Sequence, residues 1–312
     1  MKKYVLVSAI LDLQLENTLS EPILIRPDTY LTNNPQHIKQ YISSNQYMIM
    51  GTLEGKLLFN GSPVAFRECV AAGEDESKVA LVDFLRDVLG FLMSTWLIRD
   101  NSANIEQGFV FSQYDTFVHS NSLSYYFTQH DSTNYSIMLT NEELNKASDI
   151  CMTNFKGIRT SDEPKLTMSQ KQVGRVTVSN SFLQQARSSA DIGVKIANYC
   201  SYFESLLSTS SAELSHQLAE RAAFLLKETP EERYEHFKAT KKAYGVRSKI
   251  VHGDTLSNKQ LESLNSISLH CDQVARELLT LVTSNSDFQV AVNDSNNQVL
   301  DEYLVKKIFG IE

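Results

Sequence analysis

The chain has 312 residues, of which 42% are hydrophobic and 21% charged, and its formal net charge is −8. This length predicts about two domains. The composition is that of a folded globular protein and not of a disordered chain. The acidic balance argues against a protein that coats duplex nucleic acid through bulk charge, because phosphate binding needs a cationic surface.

The first half of the chain carries mostly strand patterns. Leu11, Leu13 and Leu15 alternate with polar residues, as in a half-buried strand. A helix is predicted at 76–99, where apolar residues recur at helical spacing. A second helix is predicted to begin at Thr140, where Glu143 completes a capping box. Short β-prone runs lie at 47–50, 56–59, 64–70, 109–114, 123–127 and 135–139. We predict a β-rich α+β domain over residues 1–155.

The second half changes to helical patterns after a polar stretch. Residues 156–181 are predicted to form a linker, with one short strand at 175–178 as an option. Residues 182–285 are predicted to form an all-α helical bundle. Its helices are expected at 182–207, at 210–227, from Thr229 with a break or bend at Gly245, and at 257–283. Capping boxes are predicted at the last three starts, pairing Ser210 with Glu213, Thr229 with Glu232 and Ser257 with Gln260. Residues 286–312 read as an acidic tail with a short helix near 299–309. The predicted fold class is therefore α+β.

The sequence indicates no membrane span and no cofactor or metal. Every apolar stretch is shorter or more charged than the roughly 18–20 uncharged residues of a membrane helix. The short apolar run after Lys3 ends at Asp12 without a cleavage-site pattern. The four cysteines form no CxxC pair, so neither a zinc site nor a disulfide framework is indicated. We expect a cytoplasmic protein with reduced thiols.

One stretch of the bundle is strongly basic. Residues 238–249 hold five cations and no acid: Lys238, Lys241, Lys242, Arg247 and Lys249. A solvated helix face explains such a stretch. A surface that faces phosphate groups explains it as well. The sequence leaves both interpretations open.

The basic stretch leads into the run Tyr-Gly-Val-Arg-Ser-Lys-Ile-Val-His-Gly at 244–253, in which Arg247 and His252 form an R-x4-H pair. This run, together with residues 202–207 and the segment 218–226 around Arg221, resembles the Apea-like branch of the HEPN superfamily. The resemblance covers about residues 185–285. It implies a helical bundle that forms homodimers and, in many members, cleaves RNA without a metal ion. Phage defence or a stress response is the implied setting.

The resemblance implies roles for individual residues. His252 would act as general acid and base, since imidazole titrates near neutral pH. Arg247 would stabilise charge on the phosphoryl oxygens. Glu204 would orient one of these two side chains or form a structural ion pair. Ser248 lies where the most active relatives often have Asn, Asp or His. Lys238, Lys241, Lys242 and Lys249 would hold the phosphates of the RNA, with tRNA among the candidate substrates.

Two other functions remain open at this stage. The bundle could serve as a non-catalytic adaptor that only dimerises, or as a nucleotide-binding regulator. Geometry is relevant here, because five residues along an ideal helix place two side chains about 140° apart. A helix end at Gly253, or a second copy of the chain, is therefore needed to bring Arg247 and His252 to one phosphate. The N-terminal domain is expected to sense a trigger ligand or protein.

Overall fold

The structure is a computed structural model that describes residues 1–154 and 174–311. Its contacts divide the chain into two compact units. Of the described residues, the first unit contains 1–127 and 134–154, and the second contains 128–133 and 174–311. An N-terminal antiparallel sheet followed by a helical region confirms the α+β class. No helix within the described residues has the length and apolar character of a membrane span.

The first unit is built on a six-stranded antiparallel sheet of order β3-β4-β5-β1-β6-β7. A parallel pair, β2 and β8, forms a second small sheet. The strands are β1 (Lys2–Leu11), β2 (Leu13–Leu15), β3 (Ile23–Arg26), β4 (Thr29–Thr32), β5 (Val64–Ala71), β6 (Asn104–Ser112), β7 (Val118–Asn121) and β8 (Ile137–Leu139). The central strand β1 is buried on both faces, as its unbroken apolar run requires.

Helices cover both faces of this sheet. One face packs on α4 (Glu74–Ile98) and on α5 (Asn141–Asn154). Gly108 allows close contact there, since a Cβ at this position would lie 2.6 Å from Leu85 Cδ2. The other face packs on three short helices, α1 (Gln36–Lys39), α2 (Ser44–Met50) and α3 (Thr52–Phe59). The predicted helices at 76–99 and from Thr140 are confirmed.

Three predicted strands of the first unit are wrong. Residues 47–50 and 56–59 are helical, and α2 begins at a capping box between Ser43 and Gln46 that the β-propensity reading overlooked. Residues 123–127 form no strand in the described chain. There the backbone of Phe127 is satisfied by side chains instead, donating to Asn104 Oδ1 at 2.6 Å and accepting from Asn134 Nδ2 at 3.0 Å.

The second unit is a helical bundle. Its helices are α6 (Arg175–Arg187), α7 (Ile192–Leu207), α8 (Leu214–Leu226), α9 (Pro230–His252), α10 (Asn258–Ser284), α11 (Ser286–Asn293) and α12 (Asn297–Ile308). The predicted capping boxes at Thr229 and Ser257 are present. The one predicted at Ser210 is not used, because α8 starts after Glu213, which has a left-handed backbone at φ 45°.

The structure corrects the boundaries of the bundle. Most of the predicted linker 156–181 lies outside the described residues, but 175–181 belong to helix α6, so a strand at 175–178 is wrong. The predicted helix 182–207 is two helices, and Asp191 caps the second by accepting from the Val194 backbone N–H at 2.8 Å. The tail is two helices instead of one, and both bury apolar side chains. Buried Arg221 helps to hold α12, since its guanidinium pairs with Asp301.

Candidate functional site

Helix α9 carries most of the residues that the sequence singled out. It begins at the Thr229–Glu232 capping box with Pro230 in its first turn, and it ends at Gly253, whose φ of 73° is left-handed. The predicted helix end at Gly253 is therefore confirmed. The predicted break at Gly245 is wrong, because the helix passes through this glycine without interruption. Burial of Ala243 and Val246 beside it supplies packing that offsets the low helix propensity of glycine.

Helix α7 packs closely on α9 and brings the acidic partner to the site. A Cβ on Gly193 would lie 2.8 Å from Ile250 Cδ1, so a larger residue there would require the Ile250 side chain to move. Eleven residues further along α7, Glu204 faces Tyr244 and Arg247 of α9.

Glu204, Arg247 and Tyr244 form one hydrogen-bonded cluster, which we call the Arg247 cluster. Arg247 Nη2 lies 3.2 Å from Glu204 Oε1 and 3.4 Å from Oε2. The Tyr244 hydroxyl donates to Glu204 Oε1 at 2.8 Å. The guanidinium also lies over the Tyr244 ring, 5.2 Å from its centroid. Both charged side chains are about one-fifth exposed, which leaves the cluster reachable from solvent.

The Arg247 cluster has spare hydrogen-bonding capacity. Only Nη2 of the guanidinium contacts the carboxylate, and Arg247 Nε is enclosed without a partner among the described residues. Burial and the bond to Glu204 raise the pKa of Tyr244, so its hydroxyl stays a donor. An arginine can offer a planar fork to a second acceptor such as a phosphate.

His252 lies apart from this cluster. It is the last residue of α9 and is exposed. In an unbroken helix its side chain points about 140° away from that of Arg247. Among the hydrogen bonds of the described residues, none joins Glu204 to His252, so Glu204 holds Arg247 and not the imidazole. Half-buried Ser248 lies one turn before His252 on a neighbouring face.

The four predicted RNA-binding lysines lie on the side of α9 that carries His252. At about 100° per residue, they fall within one stripe together with Gly245, in which Lys241 and Lys242 are exposed and Lys238 and Lys249 are half-buried. We call this the lysine stripe: Lys238, Lys241, Lys242 and Lys249. Lys238 pairs with Glu235 at 2.6 Å, and Lys241 lies over the Phe237 ring at 5.5 Å. Lys249 Nζ donates to the Thr255 carbonyl at 3.2 Å, close to the helix end. Three of the four therefore have neighbours within their own unit.

Sequence reasoning missed two features of α9. The role of Tyr244 as a hydrogen-bond donor to Glu204 was overlooked because tyrosine was taken for core packing, although its i,i+3 spacing from Arg247 predicts contact. The second feature is a pair of histidines, His236 and His270, whose ring centroids are 4.8 Å apart. The bond from Thr240 to the second ring, at 3.0 Å between Oγ1 and Nε2, joins α9 to α10. No sequence motif marks this pair.

Comparison with known proteins returns no match, whether to protein-family models, to curated proteins or to solved structures. The resemblance to the HEPN superfamily therefore remains a prediction from residues 185–285, and the geometry of α9 must support any functional conclusion by itself.

Proposed function

We propose that the chain is a metal-independent endoribonuclease that acts at the C-terminal end of helix α9. The observation that carries this proposal is the presence, on one helix, of a partly exposed arginine held by Glu204 through Nη2 and an exposed histidine that ends a stripe of lysines. These are the two groups that phosphoryl transfer in RNA requires when no metal takes part.

The reaction uses the RNA's own 2′-hydroxyl as nucleophile. Its oxygen attacks the adjacent phosphorus while the bond from phosphorus to the 5′-oxygen breaks. The proton of the 2′-hydroxyl passes to a base, and an acid gives a proton to the leaving 5′-oxygen. His252 serves as the acid or base, and Arg247 stabilises charge on the non-bridging oxygens. The products are a 2′,3′-cyclic phosphate and a free 5′-hydroxyl.

The proposal includes a homodimer. Within one copy Arg247 and His252 diverge by about 140°, so a single helix addresses one phosphate poorly. A two-fold axis beside the end of α9 places the histidine of one copy near the arginine of the other. The lysine stripe then guides the RNA backbone, and the exposure of Lys241 and Lys242 supports that role.

We place this activity in the cytoplasm, in phage defence or a stress response. The four cysteines are free thiols, which suits a reducing compartment. An enzyme that cuts cellular RNA needs restraint, and the first unit is the part of the chain available to sense a trigger.

The test uses the whole chain, total RNA, purified tRNA and excess EDTA. Wild type is expected to release fragments with 2′,3′-cyclic phosphate ends, and His252→Ala is expected to release none. His252 is exposed, so this variant should fold. His216→Ala removes another exposed histidine of the same unit and should cleave as wild type does. Equal cleavage by wild type and His252→Ala would contradict the proposal, and intact RNA with both would favour the adaptor described next.

A non-enzymatic adaptor is the second candidate. The observation that favours it is the ion pair between Arg247 and Glu204, which joins α7 to α9 as a purely structural contact would. An adaptor predicts intact RNA in every sample and a dimer that Arg247→Ala weakens, measured by analytical ultracentrifugation.

A further inference from the structure

A cavity between α9 and α10 lies at the opposite end of α9 from the Arg247 cluster. It measures about 420 Å³, within the usual range of small-molecule sites. Its walls come from the start of α9, the residue Lys227 before it, and the C-terminal half of α10. The side chains that line it are mainly polar, and they include His236, His270, Glu232, Glu235 and Glu277.

His236 is the unusual side chain of this cavity. It is only 6% exposed, and neither of its ring nitrogens has a hydrogen-bond partner among the residues that the structure describes. Buried polar groups in folded proteins are nearly always paired, so an unpaired imidazole in a cavity wall needs an explanation. A ligand that supplies the missing partner explains it.

The charges of the cavity determine what kind of ligand it accepts. Three carboxylates line it against one cation, Lys227, and that cation is already held by both oxygens of Glu277 at 2.8 Å. Glu232 and Glu235 are exposed at the rim. Glu232 accepts from the Thr229 hydroxyl at 2.8 Å, and Glu235 pairs with Lys238 at 2.6 Å, so a cation that binds Glu235 replaces Lys238 there. Burial lowers the pKa of His236 to about 3 and that of His270 to about 4, so both rings are neutral at pH 7.

The cavity is therefore rich in acceptors and negatively charged. Carboxylate oxygens only accept hydrogen bonds, and the neutral imidazole of His236 offers one acceptor nitrogen, whereas Nε2 of His270 is already bonded to the Thr240 hydroxyl. The complement is a cation with several N–H donors. A metal ion fits less well, because no group of three ligating side chains in the described part of the chain is placed to hold one.

We propose that this cavity binds a small organic polycation, an aliphatic amine or guanidine with several N–H groups. Its charged nitrogens pair with Glu232 and Glu235, and a further N–H donates to the imidazole of His236. The proposal does not depend on the nuclease activity, because it concerns a different part of the bundle and a different ligand.

The test measures binding of spermidine to the full chain by calorimetry at about 0.15 M salt, where long-range attraction is screened. Wild type is expected to bind one spermidine per chain. The variant Glu232→Gln/Glu235→Gln is expected to bind at least about tenfold more weakly. Glutamine keeps the capping box at Thr229, so this variant should retain the helix.

The matched control is Glu228→Gln/Glu231→Gln, which removes the same charge from exposed residues outside the cavity. It should bind spermidine as wild type does. Equal weakening by both double variants would show attraction to bulk charge and overturn the proposal, as would unchanged binding by both. Saturable binding of Zn²⁺ alone that His236→Ala abolishes, without binding of spermidine, would make the cavity a metal site and also overturn it.

Discussion

The two units each contain a cluster of arginine and carboxylate, and the two clusters are satisfied to different degrees. In the first unit Asp87 of α4 pairs with Arg26 and Arg67. Arg26 uses Nε and Nη2 on Asp87 and Nη1 on the Cys151 carbonyl at 3.0 Å. Arg67 also donates to Thr29 Oγ1 at 2.8 Å. In the second unit Arg247 contacts Glu204 through Nη2 alone.

The difference separates a structural cluster from a candidate site. A buried charge costs free energy unless it is paired and its donors are used, so a cluster with purely structural work is expected to use them. The Asp87 cluster meets this expectation. The Arg247 cluster leaves Nε enclosed and unpaired, and incomplete satisfaction of this kind is typical of groups that await a ligand.

The largest expected effect is a loss of stability when the central carboxylate of each cluster is replaced by the amide of the same shape. Asp87→Asn leaves two largely buried guanidinium groups without a counter-ion and should lower the free energy of unfolding by about 3 kcal/mol. Glu204→Gln removes the counter-ion of one arginine that is partly exposed, and should lower the free energy of unfolding by about 1 kcal/mol.

The chain allows the two units to be followed separately in a urea titration. Its single tryptophan, Trp96, is fully buried in α4, so tryptophan fluorescence reports on the first unit. Far-UV circular dichroism reports on the helices of both units, most of which belong to the bundle. Unfolding seen by circular dichroism but not by fluorescence is therefore that of the bundle. Equal losses of stability in Asp87→Asn and Glu204→Gln would mean that the two clusters do the same structural work, and the distinction drawn above would be wrong.

An intermediate effect is expected from pH, and it concerns the second unit. The pKa values of His236 and His270 lie near 3 and 4 in the folded chain, below the unfolded value of about 6.5. Burial is the largest cause of the lowered pKa for both rings. The charge of His270 lowers the pKa of His236 further, and the Lys227 ammonium lowers the pKa of both. The unfolded chain therefore binds more protons below pH 6.5. Stability should be constant above pH 7 and fall by about 2.5 kcal/mol by pH 5.5, about half of it from each histidine.

Urea midpoints of the bundle at pH 7 and pH 5.5 check this prediction. His236→Leu puts an apolar side chain in place of the imidazole and removes one of the two titrating groups. Its urea midpoint should therefore change less between the two pH values. His216→Gln alters an exposed histidine of the same unit and should retain the full change. A wild-type midpoint that is the same at both pH values would contradict the buried, neutral state of the histidine pair.

The sequence predicted local features of the chain better than tertiary ones. The capping boxes at Thr140, Thr229 and Ser257 were read correctly because each needs only residues three positions apart. Residues 47–50 were misread because β-propensity measures fit to a half-buried surface, which a helix lying on a sheet also provides. Arg247 and Glu204 were both named as site residues, but their contact depends on how α7 packs on α9, which no local pattern contains.

The smallest expected effect comes from Gly245, which lies on the lysine stripe. A Cβ added there would meet no atom within 4 Å, and the backbone is helical. Gly245→Ala should therefore raise the stability of the bundle by about 0.5–1 kcal/mol, since alanine has the higher helix propensity. The melting temperature of the full chain measures this. Within one copy of the chain, nothing near position 245 requires a residue without a Cβ. We therefore expect that another molecule approaches the helix closely at Gly245.

The same variant therefore probes the proposed use of the stripe. If RNA or a second copy approaches the backbone at Gly245, the added methyl group should reduce cleavage or dimerisation while stability rises. Lys259→Ala, an exposed cation outside α9, provides a control for general charge effects on RNA binding. A more stable variant with unchanged cleavage and unchanged oligomeric state would show that nothing approaches the stripe at this point, and the lysines there would be a solvated helix face.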